Sequence, residues 1–213
     1  MTGKRSYGDP CGVARALDLV GERWALLVVR ELLLGPKRFT DLRAGLPGVS
    51  ADVLSQRVRE LEQAGIVRRA KLPPPAASRV YELTEWGREL EPVVLALGRW
   101  GSRAPLRAGA DLSPDALMIA LKTVFDPGRA GKRDLSVGIR VGEDRFVARV
   151  ADGRLDLVRE VSGQAEVWIE ADPGTLAAVL WHGEPLGALK LEGDRGAAKA
   201  FLELFPAPVP ALP

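Results

Sequence analysis

The chain of 213 residues contains one cysteine, one histidine, two methionines and two tyrosines. A single cysteine excludes an intrachain disulfide framework, and one histidine leaves no Cys/His cluster able to hold zinc. No apolar run approaches the roughly 20 residues needed to span a bilayer. The opening MTGKRSYGDP lacks the apolar segment of a secretion signal. A cytoplasmic protein with no membrane insertion is expected. No glycine loop has P-loop or dinucleotide spacing, and the scattered acids do not assemble with a nucleophile and an orienting group. No catalytic residue, metal or cofactor is therefore assigned. His182 reads as a polar residue at a helix end.

What is present suffices for ordinary cores: 46% of residues are hydrophobic and the mean hydropathy is zero. The length suits two modest domains better than one large one. Charge is unevenly divided. Residues 1–104 carry 17 Lys or Arg against 12 Asp or Glu, a net +5, whereas residues 105–213 carry 13 against 16, a net −3. That asymmetry suits a first half facing a polyanion.

Residues 38–71, RFTDLRAGLPGVSADVLSQRVRELEQAGIVRRAK, read as two short amphipathic helices, a turn at LPGV and a basic strand. Thr40 is the expected N-cap of the first helix and Ser50 of the second, with Asp52 at the positive end of the dipole. At about 100° per residue, Leu54, Val58 and Leu61 share the core side with Ala51 beside them. Asp52, Gln56, Arg59 and Gln63 face away, with Ser55 and Arg57 on the flanks. Gly65 ends the helix. IVRRAKL, PPPAAS and RVYELT then supply two alternating strands around a short loop lined by Arg68, Arg69, Lys71 and Arg79. In such a layout the helix enters a major groove and the hairpin clamps phosphate. Lys37 and Arg38 stand where phosphates dock. Arg57, closer to the buried side, reads as a backbone contact or as an intrahelical partner of Glu60 or Glu62.

Two helices precede this stretch. CGVARALDLV aligns Val13, Ala16, Leu17 and Val20. WALLVVRELLLG places Trp24, Leu27, Val28 and Leu32 inward and stops at Gly35 and Pro36. After the hairpin, Thr84 caps a long helix, EWGRELEPVVLALGRWG, kinked at Pro92. Its stripe of Trp86, Leu90, Val93, Val94, Leu97 and Trp100 either packs against a twin or covers its own core.

The order Cys11, a helix, GERW, the apolar helix, the 38–71 stretch, VYELTEWG and a helix ending in RWG resembles the HxlR-type winged-helix transcriptional regulators. The resemblance implies a homodimer formed by the first and last helices, with two winged motifs on a pseudo-palindromic operator in double-stranded DNA. Their recognition helices would lie roughly 34 Å apart. It carries residues 50–63 over as recognition helix, with Ser50, Ser55, Gln56, Arg57 and Arg59 contacting bases or nearby phosphate. Some relatives sense oxidants through an N-terminal cysteine. Here Arg15 lies one turn beyond Cys11, so Cys11 reads either as a redox sensor or as a small residue at a helix start.

The second half changes pattern. SRAPLRAGADLSP reads as a linker. DALMIALKTVF is an amphipathic helix; LSVGIRVG, RFVARVA, RLDLVRE and QAEVWIEA alternate as strands. Asp172 or Thr175 caps a helix through Trp181, KLEGD is a brief strand or turn, and RGAAKAFLELF is a closing helix. Over residues 113–206 this resembles the sterol-carrier-protein-like lipid-binding domain. That resemblance implies an apolar tunnel walled by Leu117, Leu121, Phe125, Trp168, Leu180, Trp181, Leu186, Phe201 and Phe205, residues that equally suit a filled core.

The expected architecture is α+β: a winged helix-turn-helix domain over residues 1–103, a linker over 104–112, and a sterol-carrier-like sheet-and-helix domain over 113–213. The expected function is a homodimeric transcriptional regulator answering to an apolar small molecule. The alternative is a lipid or small-molecule carrier whose winged helix serves protein association.

Overall fold

Two apolar helices, a helix-turn-helix and a hairpin follow one another in the order their sequence periods dictate. The computed structural model describes residues 6–72, 78–105, 112–160 and 163–211. It divides into two compact units, Met1–Val94 and Leu95–Pro213.

In the first unit α1 (Gly12–Val20), α2 (Ala25–Leu32), α3 (Phe39–Ala44) and α4 (Ala51–Gln63) precede an antiparallel hairpin of β1 (Val67–Lys71) and β2 (Arg79–Leu83). The core is built from Val28, Val29 and Leu32 of α2, Leu42 of α3, Leu54, Val58 and Leu61 of α4, and Val67, Val80 and Leu83 of the hairpin, all buried. Tyr81 of β2 exchanges two backbone hydrogen bonds with Lys37, 3.0 and 2.8 Å, adding a one-residue third strand ahead of α3. This is a winged helix-turn-helix. The hairpin loop expected over PPPAAS falls mostly on residues 73–77, outside the described residues.

Four local expectations are corrected. Arg38, not Thr40, is the N-cap of α3. The Asp41 carboxylate accepts the Arg38 N–H at 3.3 Å and fixes the helix start there, while the Thr40 hydroxyl turns to Asp41 at 3.1 Å. The single long helix after the hairpin is two, α5 (Glu85–Arg88) and α6 (Glu91–Gly101). Pro92 does not kink α6; it sits in the first turn, where a missing N–H costs no helical bond. Leu27 faces outward on α2, and α1 buries only Ala14 and Val20 while Val13 and Leu17 stay exposed, because α4 covers one edge of that helix. Thr84 does cap α5, accepting the Gly87 N–H at 3.0 Å.

In the second unit five strands form one sheet, ordered β5-β4-β3-β6-β7, from β3 (Leu135–Val141), β4 (Asp144–Ala151), β5 (Arg154–Arg159), β6 (Val167–Glu170) and β7 (Lys190–Gly193). The β3–β6 pair is parallel and the rest antiparallel. Val137, Ile139, Phe146, Ala148, Leu157, Val167 and Ile169 bury one face. Helices α7 (Pro114–Val124), α8 (Pro127–Ala130), α9 (Pro173–Trp181) and α10 (Arg195–Leu202) complete the unit, α10 packing on β3, β6 and β7, and α7 on β5. The ADG turn between β4 and β5 has Asp152 and Gly153 at φ 51° and 70°, the left-handed pair that a two-residue hairpin requires. Of the two caps left open for α9, Asp172 is the one used.

The division between units falls inside α6, ahead of residue 103. From Leu95 onward α6 belongs with α7: Arg99 Nε donates to the Thr123 carbonyl at 3.3 Å. A Cβ on Gly98 would lie 3.1 Å from the Thr123 hydroxyl, so glycine permits this approach. Of the linker expected over 104–112, residues 106–111 lie outside the described residues.

Candidate nucleic-acid interface

Helix α4 starts where Ser50 accepts the Val53 N–H at 3.3 Å. It ends in a Schellman arrangement: Gly65 at φ 72°, its N–H donating to Glu62 O at 3.0 Å, and Ile66 N–H to Leu61 O at 2.9 Å. Leu54, Val58 and Leu61 are buried, which leaves Asp52, Gln56, Arg59 and Gln63 on the exposed face as the period requires. Ser55 is half-buried, and its carbonyl accepts Arg59 Nε at 3.2 Å. Gln56 Nε2 donates to Glu60 at 3.0 Å.

Arg57 is not on that face. Its side chain is 9% exposed, paired with Glu60 one turn on and with Glu22 at 3.6 Å. The intrahelical pairing with Glu60 that the sequence offered is present, and Arg57 also borders the cleft at the α4 N-terminus.

The wing cations fall into two groups. Arg68 stands opposite Glu82 and pairs with it at 2.7 Å. Arg69 binds Glu62 of α4 through two hydrogen bonds, 2.9 and 3.1 Å, and lies 5.9 Å from the Tyr81 ring centre. Glu62, by hydrogen bond and charge, holds the Arg69 guanidinium above its ordinary pKa, with Tyr81 adding to the effect. Lys71 and Arg79 differ. They face each other across the hairpin, both exposed, and neither meets an acidic partner among the described residues. Like charges directly opposed destabilise a ladder, and an anion between them reverses the sign.

Lys37 and Arg38 divide the same way. Lys37 Nζ reaches Glu31 at 2.7 Å, and Arg30 takes the other Glu31 oxygen at 2.8 Å. Glu31 is wholly buried, and a Cβ on Gly45 would collide with its carboxylate at 2.1 Å. Lys37 therefore anchors α2 to the start of α3. Arg38, at the N-cap, and Thr40, in the first turn of α3, are exposed. Cys11 is exposed at the N-cap of α1, its backbone N–H bonded to Asp9 at 2.8 Å.

The apolar residues of the second unit separate into three places. Leu180, Leu186 and Phe205 line a cleft of about 520 Å³ with Val179 and Leu202, its rim carrying Arg129, Lys199, Glu184 and Glu203. Leu117, Leu121 and Phe201 are buried in the core, and Phe125 tilts against Phe205 at 6.0 Å. Trp168 is apart from these: strand register puts it on the outer sheet face, lying on Gly138 under the Arg140 guanidinium at 4.6 Å. Trp181 ends α9, with its Nε1 buried and unbonded among the described residues. His182 is the exposed C-cap of that helix.

Sequence reasoning missed Arg23 and Trp24 beside the α4 N-terminus. Trp24 takes φ 76° as the N-cap of α2, and Arg23 lies 5.3 Å from its ring centre. The only sequence signal is GERW itself, whose folding back onto Ser50 is a tertiary event.

The HxlR-like helix-turn-helix family model matches residues 19–107. The HTH-type transcriptional regulator YvaP of Bacillus subtilis is 38% identical over 88 residues, which cover 41% of this chain and 82% of YvaP. The HTH-type transcriptional regulator YodB of the same organism is also 38% identical over 88 residues, 41% of this chain and 79% of YodB. The structure of reduced YodB matches 44% of this chain and 92% of its own at 36% identity, with a TM-score of 0.39. With YvaP and YodB matched at 38% identity over 82% and 79% of their lengths, the chain belongs to the HxlR-like helix-turn-helix family.

Proposed function

We propose that the chain is a homodimeric, sequence-specific DNA-binding transcriptional regulator. Helix α4 enters the major groove, where Gln56 and Arg59 reach base edges, and the wing sits on the flanking backbone. The opposed Lys71 and Arg79 carry this reading, since two exposed cations held face to face at one end of the hairpin call for an anion between them. The relatives' names, HTH-type transcriptional regulators, support it.

The dimer rests on apolar surface left uncovered: Val13 on α1 is 68% exposed, and Leu97 and Trp100 on α6 are 49% and 76% exposed. A second copy supplies the cover that one chain lacks. Fluorescence anisotropy with duplex from the region upstream of the coding sequence, at several salt concentrations, tests the regulator. Log affinity falls linearly with log salt for a phosphate-gripping protein; binding no tighter than to random duplex removes the assignment. Sedimentation velocity tests the dimer, and Trp100→Asp should give the mass of one chain.

The second unit is the ligand module of this proposal, sterol-carrier-like, taking an apolar small molecule between Leu180, Leu186 and Phe205. A cleft of about 520 Å³ lies within the usual range for small-ligand sites, about 300–1,000 Å³. Native mass spectrometry of the purified protein should show a copurifying small molecule. Adding it should change operator affinity, and unchanged affinity at saturation removes the regulatory link.

A further inference from the structure

Beside the N-terminus of α4 lies a second cationic feature, separate from the wing. Arg23, Trp24, Gly48, Ser50, Val53 and Arg57 bound a cleft of about 350 Å³. Two arginines line it from different elements, Arg23 from the loop after α1 and Arg57 from α4. Arg57 Nε is buried and has no hydrogen-bond partner among the described residues, while Glu60 takes one terminal nitrogen and Glu22 stands 3.6 Å from the other. An unsatisfied buried donor on a charged side chain is costly unless a ligand completes it. The helix end adds to the field: Ala51 and Asp52 begin α4, where N–H groups have no intrahelical carbonyl and the dipole is positive. Trp24, in its left-handed conformation, forms the wall, and Gly48, at φ 89°, lies across from it, where a Cβ would only touch the indole at 3.9 Å.

Glu22 shows what kind of group Arg57 attracts. Its side chain is 65% exposed, yet its carboxylate approaches Arg57 at 3.6 Å, longer than a hydrogen bond. A tetrahedral oxyanion in the cleft offers Arg57 more oxygens than that carboxylate does, with Arg23 on the same lining.

We propose that this cleft takes one backbone phosphate of a bound DNA strand, displacing Glu22 and setting the depth at which α4 enters the groove. The inference rests on the DNA-binding reading above and extends the interface to the GERW loop. The shared chemistry is a phosphate oxyanion, from the duplex backbone or from a free phosphorylated ligand, and the duplex is favoured because the cleft opens at the end of the helix that reads bases.

The test uses the full chain and three proteins: wild type, Arg23→Gln and Glu22→Gln. Arg23 is exposed, so its replacement keeps the fold, verified by thermal melting. Operator affinity is measured against salt, then on duplexes carrying single neutral methylphosphonates. Arg23→Gln should bind several-fold more weakly, with the slope of log affinity against log salt shallower by about 0.9 per subunit. Its preference for operator over random duplex should persist. One methylphosphonate position should weaken the wild type and weaken Arg23→Gln, which keeps Arg57, by a smaller factor. Glu22→Gln should bind more tightly. A wild-type slope in Arg23→Gln with the same methylphosphonate profile overturns the proposal, as does weaker binding by Glu22→Gln. Inorganic phosphate is the second probe: micromolar saturation at the Ser50 and Val53 amide resonances, with duplex binding unaffected by Arg23→Gln, assigns the cleft to a free ligand and overturns the backbone assignment. If the wild type binds no duplex at all, the regulator reading fails with it, and the absence of any phosphate-induced shift at those amides then rejects the cleft itself.

Discussion

Arg69 of the wing and Glu62 of α4 are joined by two parallel hydrogen bonds, 2.9 and 3.1 Å, across the junction between helix and hairpin. Bidentate geometry fixes direction as well as distance. This pair ties the wing to the helix and cancels one of the four wing cations before DNA arrives. Glu62→Gln should release Arg69 to phosphate, steepen the salt dependence and narrow the gap between operator and random duplex. Anisotropy titrations over a salt series measure both, and a shallower slope would show that the pair matters for positioning alone.

Arg59 and Lys71 should fail differently. Arg59 stands on the exposed face of α4, so Arg59→Ala should weaken operator binding by about 1–3 kcal/mol and relax specificity at one position. Lys71 lies on the hairpin opposite Arg79. Lys71→Ala should weaken every duplex alike and lower the salt slope by about one unit for each phosphate no longer gripped. Equal losses on operator and random duplex for Arg59→Ala would move that residue from bases to backbone.

Glu31 holds the first unit together at a point the apolar pattern conceals. Its buried carboxylate binds Arg30 and Lys37 and leaves no room for a side chain at Gly45. Removing one partner of a buried ion pair costs about 3–5 kcal/mol, and the low end applies because Lys37 and Arg30 still reach water. Denaturant unfolding of Glu31→Ala should show that loss, and Gly45→Ala a smaller one of about 1–3 kcal/mol from overpacking.

Asp172 gives the second unit an acid-sensitive cap. The Thr175 hydroxyl and then the Thr175 N–H donate to its carboxylate and hold its pKa below the ordinary value. A depressed folded-state pKa stabilises above the unfolded value and loses that contribution as pH falls through the folded one. Asp172→Ala should therefore be less stable by about 1 kcal/mol at neutral pH. The difference should shrink as pH drops below the normal aspartate range, and thermal melts of both proteins along a pH series follow it.

Much of α4 is readable from sequence because its determinants are local. The Ser50 cap, the Leu54–Val58–Leu61 face and the polar opposite side all follow from a 3.6-residue period within 13 residues. The strand pattern of the second unit is readable for the same reason. What escapes depends on partners far along the chain. Lys37 reads as a free cation because nothing in an apolar helix announces that Glu31 points inward toward it. Trp168 reads as a cavity wall, but one residue of strand phase puts it on the other face, where Gly138 leaves room for the indole. The start of α3 turns on an aspartate three residues inside the helix. The Arg23–Trp24 cleft needs a left-handed backbone that no local rule assigns to tryptophan.

The Schellman turn at Gly65 leaves only Ala64, Gly65 and Ile66 between the last helical residue and the first residue of β1. With Arg69 hydrogen-bonded to Glu62 as well, helix and hairpin are joined at two points a few residues apart. On the DNA-binding mode proposed above, that short span ties affinity to the width of the duplex as well as to its letters, since a segment too broad or too narrow leaves either the helix or the hairpin out of reach. Stiff adenine tracts placed between the two footprints should therefore shift affinity even though no side chain touches them.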